Sequence, residues 1–424
     1  MSEVKLGDVS FITKLAGFEH TKYIQGNNTH EKISEDDVPL FIGKTVQNGK
    51  IDRNFDWYIP KQISDQLERS KLNKKCLVLP YVGSVGDLAI FDATYDAHLG
   101  SNIAKIELAC NSGYSEEFIY YFLKSDYGQK VLLRDIQGAI QKNITMKAIR
   151  DVSLPDISIQ EQDKIVSILK SLDDKIDNNN QINQELETMA KTLYDYWFVQ
   201  FDFPDQNGKP YKSSGGKMVY HPELKREIPE GWGVEKLGDV AKFKNGINYE
   251  KTSSGSEKVK IINVRNISSS TIFVNQTDLD EISLENDKST KFIVNEGMIL
   301  ITRSGIPGAT RLVSELEAKT VYSGFIIASE VNDLIFKNLI FYYLKNVEEV
   351  LKNQSAGTIM KNISQSVLTD MVISLPPQNV LLKFNSIIDN LLEQMKNVQR
   401  QNQELTQLRD WLLPMLMNGE VKVE

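Results

Sequence analysis

A chain of 424 residues has room for two to four domains, and 41% hydrophobic with 25% charged residues is an ordinary globular composition. A net charge of −8 excludes a protein that coats nucleic acid by bulk charge. Two cysteines exclude a disulfide framework or a cysteine zinc site, and no apolar run reaches the roughly 18 residues of a membrane span. The first ten residues lack the features of a secretory signal, so the cytoplasm is the expected compartment.

Read in chain order, the sequence is written twice. Lys5-Leu6-Gly7-Asp8-Val9 returns as Lys236-Leu237-Gly238-Asp239-Val240. Leu77-Val78-Leu79 and Met298-Ile299-Leu300-Ile301 read as buried strands. They lead into the glycine loops Gly83-Ser84-Val85-Gly86 and Gly305-Ile306-Pro307-Gly308. Phe118-Ile119-Tyr120-Tyr121-Phe122-Leu123-Lys124, a predicted short helix, returns as Leu339-Ile340-Phe341-Tyr342-Tyr343-Leu344-Lys345. Gly138-Ala139-Ile140-Gln141-Lys142-Asn143-Ile144 returns as Gly357-Thr358-Ile359-Met360-Lys361-Asn362-Ile363, and Ser153-Leu154-Pro155 as Ser374-Leu375-Pro376. One short match is chance; four in the same order are two copies of one module.

Each copy ends in a long predicted helix. Ile165, Leu169, Leu172, Ile176, Asn179, Asn183, Leu186, Ala190, Leu193 and Trp197 alternate at spacings of four and three. Phe384, Ile388, Leu391, Met395, Val398, Asn402, Leu405, Arg409, Leu412 and Leu416 keep the same spacing. This is a heptad seam, the mark of a coiled coil. Asn183 and Asn402 share a seam position, where a buried asparagine fixes register; a solvated break in the seam is the other reading. Between the copies, 201–232 holds Pro204, Asn207-Gly208, Ser213-Ser214-Gly215-Gly216 and Pro229, a dense set of turn signals. The expected organisation is a module at 1–155, a helix at 156–200, a linker at 201–232, a second module at 233–375 and a second helix at 376–424.

No catalytic constellation stands out. Pro376-Pro377 is followed by Gln378, not by the aromatic residue of an adenine methyltransferase motif. Gly43-Lys44-Thr45 is a fragment of a phosphate loop, with Val38 where the first glycine belongs. His20, His30, His98 and His221 have no metal-ligand spacing. A binding or scaffolding role is expected, with no cofactor of its own.

The chain resembles the specificity subunits of Type I restriction–modification systems along nearly its whole length. The resemblance rests on Leu154-Pro155 with Gln160-Glu161-Gln162, on Lys164-Ile165-Val166 and on 182–198. It rests most of all on the linker, with Phe203-Pro204, the run Gly208-Lys209-Pro210-Tyr211-Lys212-Ser213-Ser214-Gly215-Gly216-Lys217-Met218-Val219 and Ile228-Pro229-Glu230-Gly231-Trp232. The chain departs from the family at Asn379-Val380-Leu381-Leu382, where a Glu-Gln pair is usual, and at Met360, which faces Gln141 of the first copy. The first copy also lacks the Ile-Pro-x-Gly-Trp opening.

The resemblance implies an α+β fold: two mixed target-recognition domains separated by two long antiparallel helices in a coiled coil, with pseudo-twofold symmetry. It implies that each domain reads half of a bipartite site on double-stranded DNA. It implies that the helices dock two modification subunits, which use S-adenosylmethionine, and that restriction subunits using ATP and Mg join the complex; no membrane is involved. Reading bases requires donors and acceptors on loops over a rigid scaffold. Lys44, Tyr81, Ser84, Gln141, Lys142 and Asn143 are the DNA-binding candidates in the first copy, and Arg265, Arg303, Ser304, Thr358, Lys361 and Asn362 in the second. Tyr81 is matched with Thr302 and Val82 with Arg303 as differing base readers, and the shared Lys-Asn-Ile with phosphate contact. Tyr120, Tyr121, Tyr342 and Tyr343 read as core in preference to base stackers. Trp197 and Trp411 are candidates for packing against a partner helix, with burial in the chain's own core as the alternative. A coiled-coil adaptor that never touches DNA, or an enzyme with an unrecognised site, are the competing classes.

Overall fold

The computed structural model describes residues 4–134, 143–249, 255–270, 272–276, 279–285, 289–356 and 362–417. It divides into two units, Met1–Asn178 with Gln401–Glu424, and Asn179–Arg400. Both long helices therefore contribute to both units.

The first unit holds two four-stranded sheets. One is antiparallel, in the order Ser10–Lys14, Ile103–Leu108, Cys76–Pro80 and Ala89–Phe91. The other runs Tyr58–Ile59, Val38–Phe41, Ala97–Leu99 and Lys71–Leu72, with Val38–Phe41 and Ala97–Leu99 parallel. The apolar run predicted at 77–79 is the strand Cys76–Pro80, buried along its whole length. Successive side chains of a strand point to opposite faces. Leu77 and Leu79 accordingly enter one core with Phe118 and Phe122, while Cys76 and Val78 enter another with Phe41 and Phe91. A continuous apolar run, without polar alternation, is what a strand between two cores requires.

The second unit repeats this plan. One sheet is ordered Ala241–Asn245, Ile326–Val331, Ile299–Thr302 and Thr310–Leu312; another is ordered Asp280–Leu284, Glu257–Ile262 and Thr320–Tyr322. Ile299 and Ile301 face one core and Leu300 the other. The repeated Leu-Gly-Asp-Val becomes a short helix in each unit, Leu6–Val9 and Leu237–Val240. Leu6 and Leu237 are buried, and a Cβ on Gly7 would come within 2.9 Å of Arg150 while one on Gly238 would come within 3.0 Å of Thr369. Close packing of one short helix on the next explains the glycine in both copies. The tyrosine-rich segments are the helices Glu116–Lys124 and Lys337–Asn346. Tyr120, Tyr121 and Tyr342 are buried and Tyr343 is partly buried, so they pack as core.

The heptad pattern forms helices Ile159–Tyr194 and Gln378–Met417. Ser158 and Glu161 cap the first, Ser158 Oγ donating to the Glu161 carboxylate at 2.8 Å. In the first unit Ile165 and Leu169 pack with Leu413, Leu416 and Met417, and Arg409 pairs with Asp173 at 2.8 Å. In the second, Leu186, Ala190 and Trp197 pack with Phe384, Ile388, Leu391 and Met395. Rising numbers on one helix meet falling numbers on the other, so the pair is antiparallel. The most deeply seated seam asparagine is Asn179; Asn183 and Asn402 are half-buried, and Asn183 Oδ1 is closed off from solvent without a hydrogen-bond partner.

The linker is a packed element of the second unit. Its strands Met218–His221 and Arg226–Pro229 form a hairpin. Phe201, Phe203 and Trp232 are buried together, with Phe201 and Trp232 edge-to-face at 5.3 Å. Asp202 accepts from the Ser213 amide at 2.7 Å and the Ser213 hydroxyl at 2.6 Å, which closes the serine-glycine turn.

Candidate nucleic-acid interface

Three segments meet at one place in the first unit. The helical turn Gly43–Thr45 follows the strand Val38–Phe41 and is closed by Thr45 Oγ1, which accepts from the Ile42 amide at 2.9 Å. Lys44 points outward and pairs with Asp56. The second segment, the glycine loop, begins at Tyr81, whose amide donates to Asn102 O at 3.0 Å. Tyr81 O accepts from the Ile144 amide at 2.9 Å, which brings in the third segment, and Val82 bridges Asn143. A Cβ on Gly43 would lie 3.4 Å from Val82 O and 3.5 Å from Asn102 Cβ, so the lysine turn abuts both. Gly83 and Gly86 have φ of 89° and 96°, values that favour glycine. Lys14 Nζ stands 4.5 Å over the Tyr81 ring.

The second unit builds the same junction with other side chains. Asn266 Oδ1 accepts from the Asn263 amide at 2.9 Å, and Arg265 pairs with Asp280 at 2.8 Å. The Arg303 amide donates to Phe325 O at 2.8 Å, and Arg303 O accepts from the Ile363 amide at 2.9 Å. Gly305 and Gly308 have φ of 80° and 92°. A Cβ on Gly305 would lie 3.3 Å from Val264 Cγ1, so the arginine turn again abuts the glycine loop.

These bonds correct the alignment read from sequence. Pro80 pairs with Ile103 as Thr302 pairs with Ile326. Tyr81 therefore corresponds to Arg303, Val82 to Ser304 and Ser84 to Ile306, one residue away from the match of Tyr81 with Thr302. The physical reason is that Thr302 is a strand residue: it is buried and its Oγ1 bonds the Ile306 carbonyl inside the loop, so it does not face solvent.

Lys44, Ser84, Asn143, Arg265 and Asn362 are exposed, and Tyr81, Arg303 and Ser304 are half-buried. All eight belong to the two junctions. Gln141, Lys142, Thr358 and Lys361 lie outside the described residues. The Lys44–Asp56 and Arg265–Asp280 pairs are solvated, so each carboxylate orients its cation at little energetic gain. Arg303 Nε is closed off without a partner. Sequence reasoning missed Asp56, Asp280, Lys14, Asn102 and Phe325. Repeat matching passes over Asn102 and Phe325 because the copies differ there, and the carboxylates reach the cations only through the fold.

The two tryptophans separate. Trp197 is 5% exposed and packs against Phe384 at 5.8 Å, so it belongs to the core of its own unit and is not a free face for a partner. Trp411 is 59% exposed. Among the described residues no cluster of His, Cys, Asp and Glu is placed to hold a metal ion, and no helix is long and apolar enough to cross a membrane.

The fold is that of a known structure, the S subunit of a Type-I restriction-modification system from M. genitalium, with a TM-score of 0.52 at 16% identity over 98% of this chain and 95% of that one. The chain is 29% identical over 335 residues to the Type I restriction enzyme MjaIX specificity subunit of Methanocaldococcus jannaschii, covering 76% of this chain and 75% of the relative. It is 24% identical over 366 residues to the Type I restriction enzyme HindI specificity subunit of Haemophilus influenzae, covering 72% and 77%. The family model for the Type I restriction modification DNA specificity domain matches twice, over 1–188 and 229–407, once for each copy of the repeat. A chain that carries this domain twice over most of its length belongs to the Type I restriction–modification DNA specificity family.

Proposed function

We propose that this chain is the DNA-reading subunit of a Type I restriction–modification complex and does no chemistry itself. Each unit reads one half of a bipartite site on double-stranded DNA. The observation that carries this is the junction built twice: a cation steered by an aspartate, a glycine loop beside it, and an exposed asparagine on the third segment. Lys44 and Arg265 put a basic side chain at the same place in both units and suit the phosphate contacts that set register, while Tyr81 and Arg303 differ as readers of two half-sites must. The long helices dock two modification subunits and set the half-site spacing; restriction subunits join the same assembly. The modification subunits use S-adenosylmethionine, and the restriction subunits use ATP and Mg. The acidic chain borrows much of its affinity from these partners.

The reading is tested by exchanging residues 1–150 for the matching region of a relative and mapping genomic adenine methylation. One half of the methylated motif is expected to change and the other to stay; a joint change of both halves overturns the two-reader arrangement. The spacing role is tested by inserting four residues near Asn179, which adds about 6 Å of helix. The unread spacer is expected to lengthen by one or two base pairs, and an active variant with an unchanged spacer removes that role.

A further inference from the structure

The turn between the two sheets of each unit supplies the fourth wall of the junction, and there the copies differ in chemistry. In the first unit this turn ends on Asn102, exposed and at φ 65°, a backbone position asparagine tolerates. In the second unit the corresponding residue is Phe325. The correspondence is fixed by hydrogen bonds: Asn102 O accepts from Tyr81 and Phe325 O from Arg303. Ile103 and Ile326, the next residues, pair with Pro80 and Thr302.

Phe325 is 63% exposed. A single exposed aromatic is unremarkable on a loose loop. Here the backbone is held tightly. The Gly324 amide donates to Ile247 O at 2.7 Å, the Ile326 amide to Ser323 O at 2.9 Å and the Gly246 amide to Ile326 O at 3.0 Å. A Cβ on Gly324 would lie 3.4 Å from Ile247 O, so the turn sits close against the backbone of the neighbouring segment. The fold thus holds a benzyl group out in water on a residue whose carbonyl is bonded to the Arg303 amide.

We propose that Phe325 is a specificity-determining residue that recognises the 5-methyl group of a thymine in the half-site read by the second unit; the inference rests on the DNA-reading function proposed above. The chemistry narrows the choice. Base edges in the major groove present donors and acceptors, and the thymine methyl is the one apolar group among them. A phenyl ring has no donor or acceptor, so it discriminates among bases there through that methyl. Arg303, one hydrogen bond away through the backbone, supplies the polar half of the same contact. Asn102 at the equivalent place offers an amide, so the first unit reads a base by hydrogen bonds where the second reads one by apolar contact.

The test uses the full chain assembled with its modification subunits. The methylated motif of the wild-type complex is mapped first, and duplexes are then made in which each thymine of the second unit's half-site is replaced in turn by deoxyuridine, which lacks only the methyl. One replacement is expected to weaken wild-type binding about fourfold, the worth of one buried methyl group. Phe325→Ala is expected to bind that duplex and the parent equally well, and Phe325→Leu to keep part of the preference. Equal sensitivity of wild type and Phe325→Ala at every thymine overturns the proposal, as does a half-site with no thymine on either strand. A uniform loss of affinity in Phe325→Ala with no dependence on the methyl also overturns it, because the ring then acts as a wedge between bases. Arg265→Ala with Lys44→Ala separates the failure of this inference from that of the broader reading: affinity and salt dependence both unchanged from wild type in that double variant mean the junctions do not face DNA at all. Phe325 is exposed, so its variants are expected to melt with the wild type.

Discussion

The same tyrosine is fastened in one unit and left loose in the other. Tyr121 donates to Asp173 Oδ2 at 2.9 Å, and the other oxygen of Asp173 takes Arg409 at 2.8 Å, so the recognition module and both long helices share one polar knot in the first unit. Tyr342, its counterpart in the repeat, buries its hydroxyl with no partner, because the heptad match to Asp173 is Leu392. The second unit ties its module to the helix elsewhere. Arg311, 7% exposed, gives one hydrogen bond to Glu348 at 2.9 Å, and Glu348 also accepts from the Thr310 amide at 2.7 Å. Lys345 lies 3.4 Å from Glu348 and 3.9 Å from Glu187 of the first long helix. Ala89 stands at the position of Arg311 in the first unit, since Val78 faces Ala89 as Leu300 faces Arg311. One topology therefore accepts two unrelated fastenings; what is repeated is the shape of the module, and the polar contacts are solved locally in each copy.

The comparison breaks most visibly at Glu348. Glu348→Ala strands Arg311 in the core, and a buried charge without its partner costs about 3–5 kcal/mol. Denaturant unfolding of the full chain is expected to show an early transition for the second unit, and a loss below about 1 kcal/mol means Arg311 is held by its carbonyl contacts alone. Gln162 sharpens it next. Fully buried, it accepts from the Ser115 amide at 3.1 Å and donates to Gly113 O and Ile157 O at 2.8 and 2.9 Å. Leu381 occupies the heptad-equivalent position, where Asn338 with Asn385 and Asp389 makes the tie instead. Gln162→Leu is expected to cost about 2 kcal/mol or more in the first unit by leaving those backbone groups unpaired, although leucine is native at 381; a neutral result shows that the backbone groups find other partners.

His98 offers a third contrast, with pH as the lever. It is buried, bonded to Ser64 Oγ at 3.0 Å, and in register with Leu40 as Val321 is with Ile261. Burial, helped by Lys105 and Lys71, pushes its pKa down from 6.5 to about 3. Unfolded, the ring gains its proton near 6.5; folded, it stays neutral until about 3. The stability of the neutral ring is complete above pH 6.5 and drains away as pH falls toward 3, at up to about 1.4 kcal/mol per pH unit. His98→Val, borrowing the residue of the second unit, is expected to flatten that part of the unfolding-against-pH curve between pH 6.5 and 5; parallel curves for the two proteins refute the assignment. The smallest effect returns to the tyrosines. Tyr121→Phe is expected to cost about 1 kcal/mol and Tyr342→Phe to be neutral or slightly stabilising, because only the first hydroxyl has a bond to lose. Equal losses in thermal melts of the two variants remove the distinction.

The duplication, the buried strands, the tyrosine helices and the heptad seam were legible before any coordinates, because each is a periodic or repeated apolar pattern and burial of apolar surface depends on that pattern alone. The glycine loops were legible for a related reason: positive φ favours glycine, and Gly83, Gly86, Gly305 and Gly308 all adopt it. The alignment inside those loops was not. The offset at which the tyrosine helices repeat puts Tyr81 opposite Thr302, whereas sheet pairing puts Pro80 there, and a one-residue slip in a strand exchanges its faces. The linker's turn residues announced its bends, but its packing around Trp232 came from aromatic side chains that only folding brings together.

By itself the sequence determined a chain of two like modules and two long amphipathic helices, since local propensity and apolar periodicity are properties of neighbouring residues. Tertiary structure decided that Asp56 and Asp280 steer the two cations, that Trp197 is core while Trp411 is exposed, and that Asn102 and Phe325 wall the junctions. Those outcomes depend on side chains far apart in the chain, whose meeting is set by sheet register and packing and leaves no periodic trace in sequence.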